Sequence, residues 1–260
     1  MYKILPLILI LAIGVLTIRL FVVLIPKRSE KADTKQGVSY LASLEEIDGN
    51  AAQNIVRKAQ EKYEGAEQRK KIAQAIKKGN YSYAFKDIII SGDSIVKAIW
   101  EYGILDSSQV IAEIGGGTAY LTDVTDSIVA ANPKYLILHF GENQLSTKQQ
   151  AEPFAAEYAK CIKRLQKKLP HTQIYVDSIF PVQEFAFKSD SYLKNIDYYN
   201  DYIEQMATEL GVHYIDYTPI FASYKKNYYD ADGIHPVKAY YTEQYLPQVL
   251  TEVGFKIDKK

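Results

Sequence analysis

Asp87-Ile-Ile-Ile-Ser-Gly-Asp-Ser-Ile95 is the stretch from which the fold can be read. A run of isoleucines stops at Gly92-Asp93-Ser94, and a helical pattern from Ile95 to Tyr102 follows at once. A short run that is apolar throughout reads as a strand covered on both faces, the habit of parallel sheets. Such a strand, turning straight into a helix, delivers Ser94 to the helix start. Backbone N–H groups there lack partners and can face an anion. Gly, Asp and Ser are also the ordinary residues of turns, so the tripeptide by itself reads as a turn. To be more than that, it needs a base, an orienting acid and oxyanion donors from elsewhere in the chain.

The strand-then-helix rhythm repeats toward the C-terminus. Apolar runs at Lys86 to Ile90, Gln109 to Ile114, Tyr135 to Phe140, Gln173 to Ser178 and Val212 to Ile215 predict five strands. Helical patterns fall between them, up to Ala131, from Ala151 to Lys168 and from Ile196 to Leu210, with a last helix from about Val237 to Val253. Apolar strands alternating with helices call for a parallel sheet with helices on both faces. Ligands in such sheets bind at the carboxyl ends of the strands. Ser94, the triplet Gly115-Gly116-Gly117 and Asn143 all follow strand ends, so three candidate sites share one rim.

Toward the N-terminus the chain changes character. Ile4 to Pro26 is apolar except for Thr17 and Arg19 and closes with Lys27 and Arg28. About 20 residues cross a bilayer, so this predicts a membrane anchor within residues 1–31. A cleaved signal peptide is the rival, but no small-x-small cleavage site follows. Lys27, Arg28 and Lys31 outweigh Lys3, which by the positive-inside tendency would hold the domain in the cytoplasm. Residues 32–80 read as a polar linker, Ser29 to Gly37, and a helical stalk. Gly49 and Gly65 are expected to divide the 41–78 region into two or three short helices. Ile55, Ala59, Ala66, Ile72 and Ile76 give it a thin apolar stripe.

Composition narrows the function. The 260 residues carry 31 basic and 31 acidic side chains, which gives no electrostatic case for nucleic acid. The single Cys161 rules out an intrachain disulfide or a cysteine metal cluster, and its helical spacing from Leu165 reads as a packed thiol. The four His residues show no pair at metal-ligand spacing, so a structural zinc site is not expected. More than half of the 22 Tyr lie from Tyr175 onward. They suit sugar or polar-ester ligands, or simply a core.

Tyr229-Asp-Ala-Asp-Gly-Ile-His-Pro236 can supply what Ser94 lacks. Asp232 and His235 stand three apart across Gly233, and Pro236 suits the first position of a following helix. Such a turn can fold the carboxylate onto the imidazole; the alternative is a plain turn with a surface His. Oxyanion donors could be the Ser94 N–H, the N–H of a glycine in the 115–117 triplet, and the Asn143 side-chain amide. The triplet is not G-x-G-x-x-G, so a dinucleotide site is not indicated. The other polar candidates read otherwise: His139 as a satisfied core histidine, His171 and His213 as surface or capping residues, Asp93 as a hydrogen-bonding turn residue. Asp230 is the competitor of Asp232.

Gly92-Asp93-Ser94, the glycine after the second strand, Gly141-x-Asn143 and Asp232-x-x-His235 resemble, in order, the four blocks of the SGNH or GDSL hydrolases. The resemblance spans about residues 86 to 250. It implies a three-layer α/β/α flavodoxin-like sandwich with a five-stranded parallel sheet over residues 81–260, preceded by the transmembrane helix and helical connector. It implies Ser94 as nucleophile, His235 as base and Asp232 as its orienting acid, with Ser94 N–H, Gly116 N–H and the Asn143 amide as oxyanion hole. The sequence departs from the pattern at Ile95, where the block has Leu, and at Glu142, which adds a carboxyl beside the site. The Gly-x-Ser-x-Gly elbow of α/β-hydrolases is absent, since Val96 stands at its last position.

The expectation is a membrane-anchored serine esterase acting on small acyl esters, such as acetyl groups on extracellular carbohydrate, without a cofactor. Residues 4–26 are its membrane contact. The resemblance also implies a domain outside the cell, where anchored members of the family usually face in bacteria, despite the Lys and Arg count; long domains do translocate against such charges. A lysophospholipase or lipase, with apolar lining near Phe180 to Phe187, an acyltransferase, and a degenerate carbohydrate-binding module are the alternatives. Oligomeric state is not readable.

Overall fold

The structure, a computed structural model, describes residues 49–223 and 227–255. The chain divides into two compact units, Met1–Lys62 and Tyr63–Lys260. The expected anchor at 4–26 and linker at 29–37 lie outside the described residues. Among the described residues no helix is long and apolar enough to cross a membrane.

The first described element is a single helix, α1 (Gly49–Lys77). Gly65 therefore does not divide this helix, contrary to the expectation of a break there; residues 41–48 lie outside the described residues. A glycine inside a helix weakens it by roughly 1 kcal/mol relative to Ala but leaves its hydrogen bonds intact. The last turns of α1 belong to the second unit, where Ile72 and Ala75 are buried.

The second unit is built on five parallel strands: β1 (Ile88–Gly92), β2 (Val110–Ala112), β3 (Tyr135–His139), β4 (Gln173–Asp177) and β5 (His213–Ile215). Their order is β2-β1-β3-β4-β5. In β1 and β3 every residue is buried, because successive side chains enter opposite layers. Ile88 and Ile90 pack with the C-terminal segment, while Ile89 packs with the helices of the other face. That two-sided burial is why the strands show no polar alternation.

Helices α2 (Ser94–Glu101), α3 (Thr118–Asp123), α4 (Thr125–Ala131), α5 (Ala151–Lys168) and α6 (Ile196–Leu210) connect the strands. The chain continues through α7 (Thr218–Ser223). β1 leads to β2 on one side and β3 lies on its other side, so the crossovers diverge at the carboxyl ends of β1 and β3. A crevice opens at such a point.

Two elements differ from expectation. The second strand stops at Ala112, and Ile114 is 69% exposed on the turn that follows. The last helix does not start at Pro236, which pairs as an isolated bridge with Tyr229. It runs as α8 (Lys238–Tyr240), a π-helical turn (Tyr241–Tyr245) and α9 (Leu246–Glu252). Pro247 explains the break: its ring would clash with the carbonyl four residues back, and a wider turn relieves this. The tyrosines of this arm are core. Tyr240, Tyr241 and Tyr245 are fully buried, as is Tyr217 before them, and Phe180, named only for the alternative lipid reading, sits among them.

Candidate active site

β1 ends in Gly92 because nothing larger fits: a Cβ there would meet Val96 Cγ2 at 2.4 Å and the His139 carbonyl at 2.5 Å. The chain then turns into α2 with Asp93 as its N-cap. The buried Asp93 carboxylate accepts from the Ile95 N–H at 3.0 Å, the bond expected of a capping aspartate. Capping leaves Ser94 at the first helical position, half-buried, with Oγ at the crevice.

Ser94 Oγ lies 3.0 Å from His235 Nε2. On the other edge of the ring, Nδ1 lies 2.7 Å from Asp232 Oδ2. Asp232 Oδ1 accepts the N–H groups of Ile234 at 2.8 Å and His235 at 3.0 Å. The loop carrying both residues is pinned at its base: the Asp230 N–H donates to the His235 carbonyl, and the Gln183 N–H to the Gly233 carbonyl. Burial tends to raise the Asp232 pKa, but the Ile234 N–H, the His235 ring and the His235 N–H outweigh it and hold the carboxyl below its usual range. An ionised Asp232 keeps the proton on Nδ1, so Nε2 is free to accept from the serine. Asp230 Oδ1 accepts from the Ala231 N–H at 2.7 Å.

Asn143 follows β3 in a short 3-10 turn, Glu142–Gln144. Its Nδ2 donates to Asp93 Oδ2 at 3.3 Å and to the Gly116 carbonyl at 3.4 Å, both long bonds that a better acceptor could replace. The turn depends on Gly141, whose φ is 137 and whose Cβ would approach Ile179 Cδ1 to 2.7 Å and Phe154 Cζ to 3.2 Å. Gly141→Ala is expected to cost about 2–4 kcal/mol in urea unfolding, from positive-φ strain and overpacking together.

Gly116 departs from the arrangement that the sequence suggested. Its N–H donates to the Glu113 carbonyl at 3.0 Å, closing a tight turn with Gly115 at φ 76. The Gly116 carbonyl meets the Asn143 amide, but the Gly116 N–H already has an acceptor.

His139 is buried, as expected of a core histidine, yet it is not fully satisfied. It lies against Phe180, with Nδ1 3.4 Å from Asp177 Oδ2 and without hydrogen-bond geometry. His213 is at the surface, stacked on Tyr175. Cys161 is a packed thiol.

Sequence reasoning passed over two residues. Gln144 joins the rim loops, its Oε1 accepting the Thr118 N–H at 2.8 Å and its Nε2 donating to Thr118 Oγ1 at 3.0 Å. Asp177, fully buried, accepts from the Tyr245 hydroxyl at 2.8 Å and so ties the C-terminal arm under the rim. Position beside Asn143 was the only signal for Gln144, and Asp177 had none beyond ending a strand.

Glu142 stands out electrostatically. Burial first, then the carboxylates of Asp93 and Asp232, push its pKa well above the usual glutamate range. A carboxyl whose pKa is raised by folding weakens the fold as pH climbs from the unfolded value through the folded one, and costs nothing below both. Glu142→Gln does not titrate. It is expected to melt about 2–6 °C above wild type at pH 8 and level with it at pH 4, by thermal denaturation.

A cleft of about 550 Å³ lies at the opposite end of the sheet, lined by Lys86, Asp106 and Lys134. It contains none of the residues above.

Residues 98–242 match the model of the GDSL-like lipase/acylhydrolase family. The match starts just after Ser94 and includes the glycine triplet, Asn143, Asp232 and His235. Among solved structures, a protein of Parabacteroides merdae described as a GDSL-like lipase aligns with a TM-score of 0.53 at 17% identity, covering 65% of this chain and 97% of its own. A lipase/acylhydrolase from Enterococcus faecalis gives 0.50 at 15% identity, covering 66% and 97%. An acetyl xylan esterase gives 0.50 at 18%, covering 64% and 98%. At these identities the likeness is one of fold. No curated protein matches the sequence.

Proposed function

The chain belongs to the GDSL-like lipase/acylhydrolase family of ester-hydrolysing serine hydrolases, and from that membership we propose a membrane-anchored esterase that removes small acyl groups through Ser94, His235 and Asp232. The observation that carries the reading is the continuous chain from Ser94 Oγ through both ring nitrogens of His235 to Asp232.

Ser94 Oγ attacks the ester carbonyl while its proton passes to His235 Nε2, and Asp232 steadies the imidazolium through Nδ1–H. The tetrahedral oxyanion is met by the Ser94 N–H and the Asn143 amide, which exchanges a long bond for a short one. Gly116 joins them only by sharing the N–H now held by Glu113. The tetrahedral intermediate on Ser94 Oγ collapses, the C–O bond to the alcohol breaks, and His235 returns the proton to the leaving oxygen to give the acyl-enzyme. Water, deprotonated by His235, then cleaves the Ser94 acyl ester and restores the hydroxyl. Asn143→Ala is expected to lower kcat about 10²–10³-fold with KM little changed, as loss of one oxyanion donor does.

The proposed substrate is an acetyl or similarly small acyl ester on extracellular carbohydrate. An acetyl xylan esterase has this fold, and family membership supports ester chemistry. With Phe180 in the core, support for a lipid-binding wall there is weaker. The proposed anchor is Ile4 to Pro26, with the catalytic unit outside the cell.

The test is turnover of p-nitrophenyl acetate by the full-length chain in detergent, alongside labelling by a fluorophosphonate. Activity with labelling supports the reading; neither, in a folded protein, ends it. Fractionation with and without residues 1–31 tests the anchor, which fails if both forms are equally soluble.

A further inference from the structure

We propose that the exposed ring of Phe185 is the platform on which the alcohol half of the substrate stacks, and that this alcohol is a pyranose ring. This rests on the esterase reading and names the side chain that recognises its carbohydrate.

Phe185 lies in the segment that joins β4 to α6, and the segment is tied to two loops of the site. At one end the Gln183 N–H donates to the Gly233 carbonyl at 2.8 Å, in the turn between Asp232 and His235. At the other, Asn195 Nδ2 donates to the Ser146 carbonyl at 2.7 Å, shortly past Asn143. Between the ties run two 3-10 turns, Glu184–Lys188 and Ser191–Asn195, which bury Ala186 and Leu193 respectively. Backbone bonds, a small amide and two aliphatic side chains thus hold the segment beside the crevice. Phe185 is not needed for that.

Its ring meets Gly233 through Cζ and Cε2, the outer edge: a Cβ on Gly233 would stand 2.6 Å and 3.0 Å from them. The histidine loop makes room for the ring, yet Phe185 remains 51% exposed. A ring packed for stability would be covered; this one is seated by its edge and keeps surface in water. Tyr192 and Tyr198 are exposed too, so half of the six exposed large hydrophobic side chains among the described residues fall within 185–198. Single exposed apolar side chains are ordinary, whereas a group of them in one stretch beside a site marks a contact surface.

The chemistry of the site says which part of the ester reaches Phe185. His235 Nε2 returns its proton to the leaving oxygen, so the alcohol departs on the histidine side of Ser94, while the carbonyl oxygen points to the Ser94 N–H and Asn143. Phe185, against the glycine between Asp232 and His235, borders that exit. A ring seated by its edge offers an open face. A pyranose matches it, since its C–H face takes the stack while its hydroxyls stay in water. A long acyl chain gains little there, because its burial scales with the area removed from water and one ring covers one side only.

The test follows acetate release by the full-length protein in detergent. The methyl glucopyranoside monoacetates are compared, one position at a time, with open-chain references: 2-methoxyethyl acetate for the primary position and 1-methoxy-2-propyl acetate for the secondary ones. In wild type, kcat/KM is expected to be about tenfold or more higher for at least one pyranoside than for its reference. Phe185→Ala brings that ratio close to one, chiefly through KM. Phe185→Trp restores it and Phe185→Leu does not, although both put apolar bulk beside Gly233; a purely structural role would be met by either. The preference between p-nitrophenyl acetate and p-nitrophenyl butyrate is expected to stay within about twofold of wild type in Phe185→Ala, because the two differ only in the acyl group. A shift of about tenfold there would make the ring an acyl wall and overturn the proposal. So would turnover of the open-chain acetates with no pyranoside preferred, or a preference that survives Phe185→Ala. Failure of every ester, p-nitrophenyl acetate included, overturns the esterase reading beneath it.

Discussion

Replacing Ser94 with alanine is expected to lower kcat/KM for p-nitrophenyl acetate by at least about 10⁴-fold and to abolish fluorophosphonate labelling. The proposed reaction runs through one covalent bond, from Oγ to the acyl carbon, and no other hydroxyl stands 3.0 Å from His235 Nε2 among the described residues. The substitution removes a single half-buried oxygen. The capping bond from Ile95 to Asp93 and the packing of Gly92 are untouched, so the melting temperature is expected to change by less than about 2 °C. That separates loss of chemistry from loss of fold. A fall of tenfold or less would mean that another residue carries the turnover.

Replacing His235 with alanine is expected to have an effect of similar size, about 10⁴-fold or more, and the Ser94→Ala/His235→Ala double variant to be no worse than either alone. The two residues act as one unit, because the hydroxyl is a poor nucleophile until Nε2 takes its proton. His235 is 42% exposed in its side chain, so its removal opens no buried cavity and stability is little affected. Steady-state kinetics on the three proteins decides. Losses that multiply would contradict a shared step, and a fully active His235→Ala would remove the base from the account.

Much of this was legible before any coordinates. The strands were visible because β1 and β3 are buried on both faces, and only continuous apolar runs satisfy that. The triad candidates were visible because Asp232 and His235 are local, three residues apart around Gly233, and the histidine needs no distant partner for its tautomer. Features set by tertiary context were not visible. Ile114 belonged to an apolar run, but the Glu113–Gly116 turn ends the strand first. The break at Tyr241–Tyr245 depends on how a helix absorbs Pro247, and helical periodicity is silent on that. The C-terminal tyrosines could not be assigned to ligand or core by type. They are core because the rings of Tyr217, Tyr240 and Tyr245 close around Phe180, and because the hydroxyls of Tyr241 and Tyr245 find buried acceptors in the Ile95 carbonyl and Asp177.

The candidate site divides in the same way. Asp232 and His235 meet as their spacing suggested, and Ser94 meets His235 as the resemblance implied, whereas the Gly116 N–H is held in a turn that sequence could not reveal. Asp93 was read as a turn residue and turns out to organise two loops at once, capping α2 through Oδ1 and holding Asn143 through Oδ2. Glu142 was visible as a departure from the family pattern, but its isolation among carboxylates depends on the fold.

The central claim is that Ser94 is the nucleophile, and peptide mapping of the fluorophosphonate adduct by mass spectrometry tests it most directly. The account predicts one adduct per chain, on the peptide containing Gly92-Asp93-Ser94, and none after His235→Ala under the same brief exposure. An adduct on any other residue, or no adduct in a folded protein that turns over p-nitrophenyl acetate, would contradict it.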